Sequence, residues 1–451
     1  MGRVALIGEN SIKYIEKLLD IWNGGDCAVL LDWRIPFETA VKMMREADVA
    51  RCYVERRLLE KISTDNNIID GDIELIGYEN GFAAAQELPE KLYSAFIPDY
   101  GRSEAVVLYS SGTTGKAKGI VLSHFALQTN ADAILAYMQP KPDDCIYIAK
   151  TLSHSSTLTG ELLVALKSRT RLVAGPAVVP PRIIFDNIKK YRVSVICLNP
   201  ALLSICALEQ LKKQHDVSSL RTIYVSGSVL NDKIYALAHE VFNGTEIYNV
   251  YGLSEAGPRV TAQRADCCKS NSVGKPVNGV ELVLVDECGT PVPRGERGII
   301  HVKTPSIYSG YISGTEKFKP LYRNWLNTGD VGFIDENDEL HVLDRIDDVI
   351  ILDSHKIYPS EVQQQILTNT SVIECVVTAV EHKGNTFLGC LYTGYANQNE
   401  IVKNLRGVLM PYEIPRFFVQ CEDIPKTANG KISAKKSAEV LKSAYEKEMC
   451  T

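Results

Sequence analysis

The chain of 451 residues contains no uninterrupted apolar run of about 18 residues, the length a helix needs to cross a bilayer. Its opening stretch, MGRVALIGENSIKYIEK, has neither the apolar core nor the cleavage site of a secretory signal. Basic residues are not in excess: 49 Lys and Arg stand against 55 Asp and Glu, a net charge of −6. A protein that follows a phosphate backbone needs the opposite balance, so no nucleic-acid partner is expected. No Cys-x-x-Cys pair occurs, and the vicinal Cys267 and Cys268 have no His or second cysteine pair at zinc-site spacing. The 12 cysteines fall mostly inside apolar runs such as DCAVLL, SVICL and VIECVV, where a reduced thiol packs as a small hydrophobe. These absences point to a cytoplasmic protein without a membrane span, in which the cysteines are structural.

What is present is an ordinary globular composition, 45% hydrophobic and 23% charged, in a chain too long for one core. From Ser11 to Trp22, the residues Ile12, Ile15, Leu18, Leu19 and Trp22 share one helical face, and the apolar run Ala28 to Leu31 follows. This predicts a helix leading into a buried strand. The runs AVVLY (105–109), VSVICL (193–198), TIYVSG (222–227) and EIYNVY (246–251) are separated by amphipathic stretches of helix length. Such alternation predicts a mostly parallel sheet covered by helices. From about residue 279, GVELVLVD, GIIHVKT, VGFID and ELHVLD follow one another with turn signals between them, which predicts a small antiparallel β unit. After LDRIDDVI the pattern predicts a helix beginning near Pro359, strands at VIECVVTAV and FLGCLYTGY, a helix near 399–408 and a final strand FFVQ, together a compact α+β domain.

The most informative motif is Tyr109-Ser-Ser-Gly-Thr-Thr-Gly-Lys-Ala-Lys-Gly119, placed after a predicted buried strand. Glycines allow the backbone to approach a ligand with its N–H groups turned inward, and hydroxyl and ammonium groups add donors for phosphate oxygens. The P-loop NTPase pattern does not fit, because Ala117 follows Gly115-Lys116 where that motif needs Ser or Thr, and Ser110 replaces its first Gly.

YSSGTTGKAKG resembles the phosphate-loop signature of the adenylate-forming superfamily, which comprises acyl- and aryl-CoA synthetases, peptide-synthetase adenylation domains and luciferases. Four further motifs stand in that family's order: Tyr251-Gly-Leu-Ser-Glu255, Asn327-Thr-Gly-Asp330, Asp344-Arg-Ile-Asp-Asp348 and Pro425-Lys-Thr-Ala-Asn-Gly-Lys431. The resemblance covers essentially the whole chain. It implies an α/β fold with a large N-terminal domain, residues 1–344, of layered α/β sheets plus the small β unit. A small, mobile α+β C-terminal domain, residues 345–451, would follow. It also implies ATP and Mg²⁺ as cofactors, with CoA or a phosphopantetheine arm as acyl acceptor.

Carried over residue by residue, the nucleotide would be held by Ser110, Ser111, Gly112, Thr113, Thr114, Gly115, Lys116, Gly227, Ser228, Asn249, Tyr251, Gly252, Ser254, Asp330 and Arg345. Within that set, Tyr251 would stack on adenine, with Asn249 near its amino group. Asp330 would accept from the ribose hydroxyls, and Arg345 would lie near ribose and phosphate. Thr114 and Glu255 would hold Mg²⁺. Lys431 would bridge the substrate carboxylate and the α-phosphate, where anionic groups must be brought together. Glu255 and His154 complete the implied catalytic set, and Asp347 occupies the hinge position.

Within Thr151-Leu-Ser-His154-Ser-Ser-Thr-Leu-Thr-Gly160, Ser156 stands where amino-acid-activating relatives place an Asp. A buried ammonium group would lack its counter-charge, so an acyl, aryl or hydroxy acid is expected in preference to an α-amino acid. Arg259, four residues after Glu255, is expected to be solvated; pointing inward, it would instead meet a second carboxylate or a phosphate. The sequence departs from the family at Ser354, where Gly is usual, and at Ile351 and Asp353, where Lys and Arg are frequent, so an altered thiol channel is expected. Asp344 replaces the Gly that opens the hinge motif, and the segment most relatives carry before the first helix is missing.

The function implied is ATP-dependent conversion of a small carboxylate to acyl-AMP and pyrophosphate, then acyl transfer to CoA or to the thiol of an acyl or peptidyl carrier protein. The alternatives are an adenylating ligase with an amine or hydroxyl acceptor, and a non-catalytic adenylate-binding protein.

Overall fold

The computed structural model describes residues 2–63, 73–79, 84–111, 117–265, 267, 272–312, 325–352, 355–382, 385–426 and 432–448. Among them, two large sheets form the body of the N-terminal region. The first has seven strands, in the spatial order Gly310–Tyr311, Ala117–Ser123, Glu104–Ser111, Cys27–Leu31, Arg3–Ile7, Val49–Glu55 and Glu74–Tyr78. Its inner strands run parallel, while Ala117–Ser123 and Gly310–Tyr311 close one edge antiparallel. The second has eight strands, with Glu246–Leu253, Thr222–Val225, Val195–Leu198, Cys145–Ile148 and Arg171–Ala174 parallel at its centre.

The central strands read as continuous apolar runs because both faces are covered. Cys27–Leu31 and Cys145–Ile148 are buried at every position. One core cluster joins the two sheets, with Leu6, Leu30 and Leu108 of the first meeting Ile146, Leu172 and Val250 of the second. The predicted first helix runs Ile12–Asn23; the Ser11 side chain accepts from the Tyr14 amide at its start, and Tyr14, Ile15, Leu18 and Leu19 are buried. Trp22 lies at its edge and donates through its indole N–H to the Ala105 carbonyl at 2.9 Å.

The small antiparallel unit has the strands Glu281–Val285, Gly298–Lys303, Leu326–Ile334 and Leu340–Arg345 in that order, as the sequence predicts. Beyond it lie a hairpin, Ile350–Leu352 with His355–Ile357, and a three-stranded sheet of Val372–His382, Asn385–Gly394 and Phe417–Gln420. The predicted helices are Pro359–Asn369 and Gln398–Leu405. Among the elements outside the sequence reading are the strand Arg3–Ile7, the π-helical turn Leu158–Leu163 and a last helix, Ala434–Glu448. No helix among the described residues is long and apolar enough to cross a membrane.

Candidate active site

A cluster of convergent polar groups forms where three separate sequence motifs meet. Asp330 sits in the strand Leu326–Ile334 opposite Arg345 on the next strand. Its Oδ1 accepts from Arg345 Nη1 at 2.9 Å, and its Oδ2 accepts from the Tyr251 hydroxyl at 2.5 Å. Arg345 Nη1 also donates to the Thr328 carbonyl, and the Arg345 Nε is buried without a hydrogen-bond partner in the described structure. Gly329, at φ +74°, lies where a Cβ would come within 2.7 Å of Arg345 Nη2, so only glycine leaves room for that guanidinium. Burial, then the Asp330 charge, pushes the Tyr251 phenol well above its ordinary range, so it stays a donor.

Glu255 lies at the far end of Tyr251-Gly-Leu-Ser-Glu255. Its Oε1 accepts from the Tyr311 hydroxyl at 3.0 Å, and its backbone carbonyl accepts from the Tyr308 amide at 2.8 Å. Tyr311 belongs to the edge strand paired with Ala117–Ser123, and Lys118 Nζ lies 5.8 Å from its ring centre. Glu255 is thereby tied to the strand that leaves the Gly-rich loop. Tyr311 was not visible in the sequence as a site residue, because only the pairing of Tyr311 with Ile120 brings it there.

The other candidates are distributed around this centre. Ser155 and Ser254 hydroxyls are 3.0 Å apart, which joins the His154 segment to Tyr251-Gly-Leu-Ser-Glu255. His154 precedes the short helix Ser155–Thr157 and acts electrostatically on Asp32. Gly252 packs where a Cβ would lie 2.3 Å from the Pro258 backbone. Gly227, at φ +105°, and the exposed Ser228 form the turn after Thr222–Val225. Asn249 is buried and donates its side-chain amide to the Ser272 carbonyl at 3.2 Å. Gly112, Thr113, Thr114, Gly115, Lys116 and Lys431 lie outside the described residues, as do the side chains of Ser110 and Ser111. No group of three or more His, Cys, Asp or Glu able to hold a metal occurs among the described residues. The Glu255 carboxylate, one of whose oxygens is engaged by Tyr311, is of the type that can share Mg²⁺ with phosphate oxygens.

Arg259 corrects the sequence reading. It is not solvated but fully buried, with Nη1 donating to the Pro258 carbonyl at 2.9 Å and Nε to the Tyr137 hydroxyl at 3.2 Å. Ser156 faces not a carboxylate but Lys150 Nζ, at 3.4 Å. A cation there is the reverse of what an α-ammonium group would need.

Asp347 is exposed in the turn Ile346–Asp348. The neighbouring Asp344 accepts from Ser360, through its amide at 3.1 Å and its hydroxyl at 2.8 Å. Burial outweighs these bonds and pushes the Asp344 carboxyl up to about 6. Against an unfolded value near 3.9, the folded state holds the extra proton, so stability falls as pH rises from about 4 to about 6 and stays lower above. Asp344→Asn is expected to raise stability by up to about 3 kcal/mol at pH 8 and to change it little near pH 4. Thermal unfolding at the two pH values checks this; an equal effect at both overturns it.

The fold defines the class, a layered α/β protein in which Tyr251, near the end of the strand Glu246–Leu253, meets Asp330 and Arg345 of the small antiparallel unit. More narrowly, the chain belongs to the AMP-binding enzyme family: that family's model matches residues 2–312, and the model of the AMP-binding enzyme C-terminal domain matches residues 361–431. A 2-succinylbenzoate–CoA ligase of Bacillus mycoides (strain KBAB4) is 26% identical over 438 residues, covering 95% of this chain and 86% of the relative. A 4-coumarate–CoA ligase of Narcissus pseudonarcissus is 27% identical over 467 residues, covering 96% and 83%. In fold, the chain matches ATP-bound MatB from Rhodopseudomonas palustris with a TM-score of 0.86 at 22% identity, covering 98% and 89%.

Proposed function

We propose that the chain is an AMP-forming acid–thiol ligase that joins a small carboxylic acid to CoA through an acyl-adenylate. The observation that carries this reading is the Tyr251–Asp330–Arg345 cluster, an ionised acceptor held between a phenol and a guanidinium that has a buried donor to spare. An ionised carboxylate so placed suits the paired hydroxyls of a ribose, and the Arg345 donor suits a phosphate or ribose oxygen. Glu255 and the hydroxyl of Thr114 would share Mg²⁺ with the ATP phosphates. That ion would supply charge stabilisation to the adenylyl group being transferred and to the departing pyrophosphate. The Gly-rich loop from Ser110 to Lys116 would hold those phosphates, with Asn249, Gly227 and Ser228 around the base. Residues 1–344 would form the adenylating body and residues 345–451 a mobile domain turning about Asp347. His154 would close the acid pocket.

CoA, rather than a carrier protein, is the acceptor we assign, because the relatives named above are CoA ligases. Both act on aryl acids by name, so an aryl or acyl acid is the substrate class we assign. Most free cysteines among the described residues are buried, which fits a reducing compartment, the cytoplasm.

Pyrophosphate release with ATP and Mg²⁺ is the test, across 2-succinylbenzoate, 4-coumarate, fatty acids, hydroxy acids and amino acids, each with and without CoA. Acid-dependent release, with steady turnover only when CoA is present, is the expected result. Release that no acid stimulates overturns the ligase reading, and turnover without CoA assigns a different acceptor.

A further inference from the structure

Lys150 lies two residues beyond the parallel strand Cys145–Ile148, on the loop that leads to His154 and Ser155. Side chains there sit at the ligand-binding end of a parallel sheet. Its Nζ is 3.1 Å from Glu161 Oε1, and its side chain is 11% exposed, so it is screened but not sealed. Glu161, on the π-helical turn Leu158–Leu163, is fully buried. Behind it lies the buried Arg259, whose Nη2 would be 3.1 Å from a Cβ on Gly160, so the guanidinium rests on that turn.

Two cations therefore share one carboxylate. Arg259 is hydrogen-bonded to a phenol and a carbonyl, with the Cys197 thiol at 3.9 Å; none of these carries charge to offset it. Glu161 acts electrostatically on Arg259 and is itself paired with Lys150. Burial pushes the Glu161 carboxyl above its ordinary range, and the pull of Lys150 opposes it. The hydroxyls of Thr151 and Thr159, on the same loop and turn, are buried without a hydrogen-bond partner in the described structure. An excess positive charge and unspent hydroxyls are costly in a low-dielectric interior unless something anionic and polar completes them.

Resting on the ligase reading above, we propose that Lys150, backed by Glu161 and Arg259, binds a second anionic group of the acid, so that the preferred substrate is a dicarboxylic acid. One carboxylate reacts at the Glu255 end of the site, and the other pairs with the Lys150 ammonium group beside Ser156. Lys150 is a specificity residue in this scheme; Arg259 positions Glu161, which positions Lys150.

The test compares succinate, adipate and phthalate with their monomethyl esters, which keep one free carboxylate, by acid-dependent pyrophosphate release. The wild-type enzyme is expected to favour at least one free diacid over its monoester by roughly 30-fold or more in kcat/KM. Lys150→Met should remove that preference through KM for the diacid, and Lys150→Arg should restore it. A merely structural role for Lys150 would lower the melting temperature without moving the diacid-to-monoester ratio. Activation of monoesters, or of acids with a single carboxylate, as efficiently as every diacid by the wild-type enzyme overturns the inference and leaves the ligase reading standing. That comparison needs no variant to fold. If no acid, including those of the wider panel, supports release, both readings fall together.

Discussion

Lys431→Ala is expected to slow formation of the acyl-adenylate by roughly 10²- to 10³-fold, while thioester formation from supplied acyl-adenylate keeps most of its rate. The reason is electrostatic. Attack of a carboxylate on the α-phosphate brings two anions together, and an ammonium group between them is worth most where their charges are closest. In the second step a thiolate meets an adenylate whose carboxylate charge has already been consumed, and the demand for that cation is gone. The family match of the C-terminal region runs to residue 431, within Pro425-Lys-Thr-Ala-Asn-Gly-Lys431. The backbone of Lys426 pairs with that of Ile432, the residue after Lys431. Rapid-quench measurement of each half-reaction separates the two, and equal loss in both removes Lys431 from the role.

Asp330→Ala is expected to reduce kcat/KM for ATP by roughly 10²-fold or more, mainly through KM. The substitution removes the acceptor assigned to the ribose and strands Arg345 half-buried beside the Tyr251 phenol. Loss of the charged partner of such a group costs roughly 3–5 kcal/mol where burial is complete, and less here because the Arg345 side chain is 40% exposed. Asp330→Asn keeps the shape but not the charge, and should fall between the two. Equilibrium binding of ATP to the variants is the readout. Unchanged affinity in Asp330→Ala would move the ribose elsewhere.

Much of this architecture is legible in the sequence, because the information is local. Parallel strands buried on both faces must be continuous apolar runs, and Cys27–Leu31, Val195–Leu198 and Thr222–Val225 are. The antiparallel unit after residue 279 announces itself through closely spaced turns. Asp330, Arg345 and Tyr251 can be singled out only by family resemblance, and the structure brings the three together at hydrogen-bond distance. What escapes is whatever depends on long-range placement. Arg259 has the composition of a surface residue, yet the turn that buries it is contributed by residues about a hundred positions earlier. That turn, Leu158–Leu163, has i→i+5 spacing, for which side-chain periodicity gives no signal. Lys150 and Tyr311 each stand alone in sequence and become informative only through Glu161 and Glu255. The last helix, Ala434–Glu448, is missed because its apolar face is narrow; Leu441 is its one fully buried large side chain.

The contacts between the two parts of the chain have a chemistry of their own. Arg297 forks onto Glu361 at 2.7 and 3.0 Å and lies over the Tyr358 ring, Lys356 reaches Glu287, Gln364 reaches Asp232, and Lys233 donates to the Thr370 carbonyl. Each apolar core cluster, by contrast, stays wholly before residue 343 or wholly after residue 349. Parting the two halves breaks bonds that water can replace and uncovers no core. The seam is thus held by charge and hydrogen bonds in place of shared core, and dissolved salt weakens its ion pairs.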